Sequence, residues 1–307
     1  MPAQAEDTLS RIDELRRQKA ALILAHVYTL PEIQDLADYV GDSLGLSQQA
    51  AGADPRYRII VFCGVHFMAE TAALLSPGRK VLVPDPTAGC PMADMAAAED
   101  IRALRREHPG ALVACYVNST VEVKAESDVC VTSSNAVKIV EKLPADEIIF
   151  VPDRSLGEYV QSRVPGKRLV LWPGYCPTHH CILAPHVRAA RESHPGALVL
   201  AHPECTRDIL ALSDFVGSTG QIQAYARSSP AKEFIVASEN GILYRLGKDN
   251  PGKSFFPAAK IAVCPNMKKT TLPKVLAVLA HEDNVVRVEE AVRERALRSI
   301  TRMLEMS

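Results

Sequence analysis

Charge of one sign is missing from this sequence. Its 307 residues carry 35 Lys and Arg against 36 Asp and Glu, a net charge of −1, with no basic block and no basic–aromatic interleaving. That excludes the electrostatic footprint of a nucleic-acid binder. No apolar run approaches bilayer-spanning length, and the acidic, polar start MPAQAEDTLSR lacks the build of a signal peptide, so no membrane partner is expected. Aromatic residues are scarce at 5%, and no low-complexity linker interrupts the chain. A composition of 47% hydrophobic and 23% charged residues suits a globular enzyme of ordinary make-up. Cytoplasmic residence is the expectation, and there the eight cysteines are reduced thiols. Reduced thiols favour metal or cluster ligation over disulfides.

What is present is repetition. HPGALVACYVN at 108–118 returns as HPGALVLAHPE at 194–204, and RRQKAALILAHVY at 16–28 aligns as a fainter third copy. In each copy a charged amphipathic segment (TLSRIDELRRQK, EDIRALRREH, HVRAARESH) leads into a short apolar run. The first pattern predicts a helix, the second a strand buried on both faces, as in a parallel sheet. A unit written three times predicts an α/β fold of three pseudo-threefold-related α/β/α, Rossmann-like domains with parallel sheets around a central active site. The expected domains are 1–97, 98–183 and 184–267, with C-terminal helices in 268–307 packing back on the first.

The copies diverge at their strand ends: His26 and Tyr28, Tyr116 and Asn118, His202 and Glu204. Each pair is spaced i, i+2, so both side chains leave the strand on one side. Fifteen residues beyond the second member of each pair stands a hydroxyl, Ser43, Ser133 or Thr219. Each is expected to open a helix, where a hydroxyl can cap an unsatisfied N–H. A further 43 to 47 residues on, each copy reaches a cysteine followed by proline: Cys90, Cys176 and Cys264. Three thiolates are one short of a closed 4Fe–4S cubane and leave one iron open to water or substrate. An open metal position marks catalysis. The donor softness leans to iron–sulfur, with zinc left open on ligand count. Glu204 is the only carboxylate among the six strand-end residues and is the candidate general base, with His202 or Tyr28 to donate or shuttle protons.

Other features read as bland. Cys63, Cys115 and Cys130 sit in apolar runs and are expected to be buried hydrophobes. Cys181 and Cys205 are less decided. The run Cys176, His179, His180, Cys181 is too compact for the usual structural zinc pattern. GKDNPGKS at 247–254 matches the phosphate-loop pattern letter for letter, yet Pro257 follows where the loop needs a helix. KDNPG reads instead as a turn between two strands, the first formed by GILYRL, and Lys253 is not expected to bind nucleotide.

The segments AHVYTLPEIQDLADYVGDSLGLS, CGVHFMAETAALL, AGCPMAD, YVNSTVEVKAESDVCVTSSNA, WPGYCPTH, AHPE, GSTGQI and CPNMKKTTL together resemble the quinolinate synthase (quinolinate synthetase A) family over nearly the whole chain. The resemblance implies an iron–sulfur-dependent condensation of iminoaspartate with dihydroxyacetone phosphate to quinolinate, phosphate and water, in de novo NAD biosynthesis. It implies a 4Fe–4S cluster on Cys90, Cys176 and Cys264, with one open iron. The substrate pocket it implies takes His26, Tyr28, Ser43, Tyr116, Asn118, Ser133, His179, His202, Glu204, Ser218 and Thr219. Among these His26, Tyr28, Tyr116, His179, His202 and Glu204 are the catalytic candidates. L-aspartate oxidase or aspartate dehydrogenase are the implied suppliers of iminoaspartate. Both substrates are anionic, and helix starts can hold carboxylate and phosphate without net positive charge. Two other readings use the same cysteines: another open-iron 4Fe–4S hydro-lyase acting on a different small acid, and an iron–sulfur redox sensor. The sensor has no need of Glu204 or of three strand-end pairs.

Overall fold

The computed structural model describes residues 3–307, with side chains from Glu6 onward. The elements follow one another in three similar series. The first is α1 (Ala3–Gln18), β1 (Ala21–His26), α2 (Pro31–Leu36), β2 (Tyr39–Gly41), α3 (Ser43–Ala51), β3 (Ile59–Cys63), α4 (His66–Leu75) and β4 (Lys80–Leu82). The second is α5 (Ala98–Glu107), β5 (Leu112–Tyr116), α6 (Val121–Ala125), β6 (Val129–Val131), α7 (Ala136–Lys142), β7 (Glu147–Val151), α8 (Arg154–Arg163) and β8 (Arg168–Leu171). A short α9 (Pro177–His180) precedes the third: α10 (Ala184–Ser193), β9 (Leu198–Ala201), α11 (Arg207–Ala211), β10 (Phe215–Val216), α12 (Thr219–Ser228), β11 (Glu233–Ala237), α13 (Ile242–Asp249) and β12 (Ser254–Pro257). Two helices close the chain, α14 (Leu272–His281) and α15 (Glu290–Met306).

Each series makes one four-stranded parallel sheet, in the orders β2-β1-β3-β4, β6-β5-β7-β8 and β10-β9-β11-β12. The chain is thus α/β with three Rossmann-like sheets, as the triplication predicts. It divides into two compact units, one of Met1–Cys90 with Pro265–Arg293 and one of Pro91–Cys264 with Glu294–Ser307. In the first unit β1 is buried along its whole length. One face of its sheet packs against Ile12 and Leu15 of α1 and Val275 and Leu279 of α14. Burying an aliphatic side chain of this size contributes about 1.5–3 kcal/mol. In the second unit Val199, Ala201, Ile235 and Ala237 of the third sheet form a core with Ile182, Val187 and Ile209. Ser299 of α15 donates to the Lys124 carbonyl and meets Cys130 Sγ at 3.4 Å, so α15 lies on the second sheet.

One polar device recurs in all three sheets. An aspartate heads the edge strand beside the first strand, and its carboxylate accepts a backbone N–H of that strand: Asp38 from Ile23 at 2.8 Å, Asp128 from Val113 and Asp214 from Val199, both at 2.7 Å. An arginine of the preceding helix pairs with each, Arg16 with Asp38, Arg105 with Asp128 and Arg191 with Asp214. Register along a short edge strand is thereby fixed by a charged bond as well as by the ladder. Three residues beyond the aspartate, a Cβ built on Gly41 falls 2.6 Å from the Tyr39 ring, and one on Gly217 falls 2.7 Å from the Phe215 ring. The second sheet carries Val129 instead of an aromatic and accommodates Val131 there.

GILYRL is not a strand. It opens α13, with Ile242 and Leu246 buried at i, i+4 spacing, an amphipathic pattern too short for its helical period to stand out from a strand. SFFP is the strand, β12, so no helix follows the phosphate-loop-like sequence. Lys253 Nζ donates to the carbonyls of Ala226 and Ser229, each at 2.6 Å, and satisfies the C-terminal end of α12.

Candidate active site

Within the second unit the ends of β5 and β9, the turn before α7, and the helix α9 with the cysteine that precedes it bring six of the expected residues together. Tyr116 closes β5, and its hydroxyl donates to Glu204 Oε1 at 2.6 Å. His179 of α9 places Nδ1 2.7 Å from Glu204 Oε2 and 3.2 Å from Cys176 Sγ. His202, just beyond β9, stacks on His179 with ring centroids 4.7 Å apart, and its Nε2 lies 3.2 Å from Ser133 Oγ. Tyr116, His179, His202 and Glu204 are all buried.

The turn that presents Glu204 explains the i, i+2 spacing. Cys205 N donates to the His202 carbonyl at 3.0 Å, and Glu204 N donates to His202 Nδ1 at 3.3 Å. The first unit builds the same turn: Thr29 N donates to the His26 carbonyl at 3.0 Å and Tyr28 N to His26 Nδ1 at 3.2 Å. Both imidazoles thus accept a backbone bond at Nδ1, and the neutral ring carries its proton on Nε2. His26 and Tyr28 meet edge to face at 4.5 Å, and the Lys268 ammonium donates to the Tyr28 carbonyl.

Electrostatics centre on Glu204. Burial disfavours its charge, but His179 and His202 and the hydrogen bonds from His179 and Tyr116 outweigh burial and hold the carboxyl well below the usual range. Glu204 is therefore an ionised carboxylate in a closed setting. His179 donates to it through Nδ1, and its Nε2 lies 3.2 Å from Ser238 Oγ. His180 turns away: its Nε2 meets Ser155 Oγ at 2.8 Å, its ring stacks on Tyr175, and burial followed by the nearby His179 charge lowers its pKa.

The hydroxyls expected to cap helices are not the caps. Asp42 caps α3 by accepting from Gly45 N at 3.0 Å, and Ser43 is the first helical residue. Ser218 caps α12 with Gln221 in a reciprocal pair, and Thr219 is the first helical residue. Ser133 lies in the turn before α7, whose cap position is Asn135. A capping side chain must sit one residue before the helix to reach its first N–H groups; Ser43 and Thr219 stand one residue after that position and Ser133 two residues before it. Ser134 Oγ donates to Ser218 Oγ at 2.7 Å, joining the second and third helix starts. Asn118 keeps its Oδ1 buried with no hydrogen-bond partner among the described residues.

The cysteines separate into two kinds. Cys63, Cys115, Cys130 and Cys205 are fully buried, and burial pushes the Cys63 thiol up to about 12. Cys181 is half-buried and donates to the Thr178 carbonyl at 3.0 Å. Cys90, Cys176 and Cys264 are half-buried in loops of one design. Two residues before each cysteine a carbonyl accepts a backbone N–H from the segment after the third strand: Ala88 from His66, Gly174 from Arg154 and Ala262 from Asn240, all at 2.8 Å. Gly174 is obligatory, since a Cβ there would fall 2.4 Å from the Pro152 carbonyl oxygen. Three reachable soft donors in equivalent loops fit thiolate ligation of an iron–sulfur group. Cys176, His179 and Glu204 also converge, with ligand atoms within 4.8 Å of one another; the Cys176, His179, His180, Cys181 quartet does not.

Sequence patterning alone missed Ser238, Asp153, Glu239 and Lys268. Asp153 and Glu239 occupy matching places two residues beyond β7 and β11, a correspondence visible only when the third strands are aligned.

Three parallel sheets and a buried carboxylate–imidazole site at strand ends define an α/β enzyme built by triplication. Residues 10–305 match the family model described as quinolinate synthetase A protein. The chain is 52% identical over 296 residues to the quinolinate synthase of Dehalococcoides mccartyi, covering 96% of this chain and 97% of that one. Identity to the quinolinate synthase of Caldicellulosiruptor saccharolyticus is 51%, with the same coverage. To that of Methanosarcina barkeri it is 48% over 301 residues, 98% of both chains. The chain belongs to the quinolinate synthetase A family, enzymes of NAD biosynthesis in which iron–sulfur chemistry is typical. Among the described residues no helix is long and apolar enough to cross a membrane.

Proposed function

We propose that this chain condenses iminoaspartate with dihydroxyacetone phosphate to quinolinate, with loss of phosphate and water, and that Glu204 is its general base. The observation that carries this reading is the buried Glu204 carboxylate, tied to Tyr116 and His179 at 2.6 and 2.7 Å. A carboxylate kept ionised in a closed pocket is ready to take a proton from a substrate carbon or nitrogen. Its hydrogen bonds moderate its basicity, and His179 and Tyr116, which donate to it, hold the carboxylate in place.

His26 and His202, each with Nδ1 engaged by backbone, present Nε2–H as a donor to a substrate oxygen. Asn118, Ser43, Ser133, Ser218 and Thr219 are assigned to the carboxylate and phosphate groups, because helix starts stabilise anions without net charge. Tyr28 and Tyr116 are the phenolic donors. Iminoaspartate supply falls to an enzyme that oxidises aspartate, such as L-aspartate oxidase or aspartate dehydrogenase.

Cys90, Cys176 and Cys264 are the residues that would hold a 4Fe–4S cluster. Bound there, its open iron would polarise a carbonyl or hydroxyl oxygen and ease loss of water. A cluster of this kind suits a reducing cytoplasm.

Glu204→Gln tests the assignment of the base. Glutamine keeps the shape and loses the base, so quinolinate formation is expected to fall about 10²- to 10⁴-fold with iron content unchanged. Near-normal turnover removes Glu204 from the mechanism.

A further inference from the structure

The three cysteine loops share a backbone anchor but differ in what stands beside it. The residue before each anchoring N–H is Val65 in the first series, Asp153 in the second and Glu239 in the third. All three are buried, the two acids completely. Glu239 Oε1 accepts the backbone N–H of Cys264 at 3.0 Å, and its Oε2 accepts Gly241 N at 2.6 Å. Asp153 Oδ1 accepts Leu156 N at 2.7 Å, and its Oδ2 is buried with no hydrogen-bond partner among the described residues. Asp153 further pairs with Gly174 as an isolated parallel bridge, two residues before Cys176. One of the three loops is therefore held by a buried carboxylate that takes the cysteine's own peptide N–H, while the second carries a buried carboxyl at the matching position without that bond. A valine can offer no such bond.

We propose that Glu239 is a positioning residue for Cys264. It fixes the direction of the thiol through the cysteine's backbone, while Cys90 and Cys176 rely on the carbonyl anchors of their loops. The proposal rests on the reading of these cysteines as cluster ligands. A buried carboxylate is costly unless satisfied, and Glu239 is satisfied in part by the peptide that carries the cysteine. Helix capping alone explains the bond from Leu156 to Asp153; it does not explain why the matching acid of the third series spans to Cys264. Partners behind a metal ligand govern how firmly the metal is held.

The test uses the full chain, metal-free and anaerobically reconstituted with iron and sulfide. In the metal-free protein, alkylation of each cysteine by iodoacetamide is timed by mass spectrometry. In the reconstituted protein, iron release to excess EDTA is followed. Glu239→Leu is expected to speed labelling of Cys264 about tenfold, with Cys90 and Cys176 within about twofold, and to speed iron release about 10- to 100-fold. Glu239→Gln, which keeps one acceptor oxygen, gives a smaller effect on Cys264 and carries the test if the leucine variant does not fold. Unchanged labelling of the paired cysteine, or equal acceleration of all three, overturns the proposal. Failure of the ligand reading shows separately: Cys264→Ser then keeps its iron, whatever the labelling pattern.

Discussion

Tyr116 and Glu204 are 88 positions apart in sequence and 2.6 Å apart in space, phenol to carboxylate, each at a strand end of its own sheet. The bond is charge-assisted and buried, and such bonds contribute about 1.5–3 kcal/mol. Tyr116→Phe removes it without opening a large cavity. Quinolinate formation is expected to fall about 10- to 100-fold, with iron content unchanged. A turnover within about twofold of wild type would mean that the phenol only packs there.

The aspartates at the heads of the edge strands set register, which a denaturation experiment can read. Asp128 takes Val113 N at 2.7 Å and Arg105 at 2.7 Å. Asp128→Ala leaves both donors without that acceptor and is expected to lower the stability of the metal-free protein by about 1–3 kcal/mol. The exposed Asp7→Ala serves as control and should change it by about 0.5 kcal/mol or less. Equal effects would show that Asp128 is an ordinary surface charge.

Much of this was legible before any coordinates. HPGALV, written twice, marks the helix-to-strand passage of β5 and β9, and the fainter RRQKAALILAHVY marks β1, because buried parallel strands must be apolar on both faces. The strand-end pairs were legible because turns that carry chemistry break the repeat. The caps were not: Asp42 and Ser218 stand one residue before the aligned hydroxyls, a distinction that periodicity cannot make. GILYRL misled because its length suits a strand as well as two turns of helix. Asp153 and Glu239 escaped because their partners are peptide N–H groups, and backbone leaves no trace in a residue pattern.

The fastening of α14 gives a pH-dependent prediction. Asp85 accepts from Lys274 Nζ at 2.6 Å and from Thr87 N and Oγ1 at 2.8 and 2.7 Å. Burial pushes its carboxyl up, but Lys274 and Thr87 pull it down to about 2 from 3.8. A lowered native pKa gives stability that is present above the unfolded value and lost as pH falls through the native one. Lys274 is half exposed, so solvent screening limits the contribution to about 0.5–1 kcal/mol. Asp85→Asn should cost that much near neutrality, and the difference from wild type should fade between about pH 4 and pH 2. A difference that persists undiminished at the acid end contradicts the ion pair as its source.

The central claim is that three equivalent cysteine loops and the Glu204 site make one quinolinate-forming enzyme. The most direct measurement is quinolinate formed from iminoaspartate and dihydroxyacetone phosphate by anaerobically reconstituted protein, with iron per chain determined on the same sample, for wild type and for each of the eight cysteines changed to serine. The account predicts that Cys90→Ser, Cys176→Ser and Cys264→Ser lose iron and product together, while Cys63→Ser, Cys115→Ser, Cys130→Ser, Cys181→Ser and Cys205→Ser keep both. Iron-loaded wild type that makes no quinolinate, or loss of iron on changing Cys115 or Cys205 with Cys264→Ser unaffected, would contradict it.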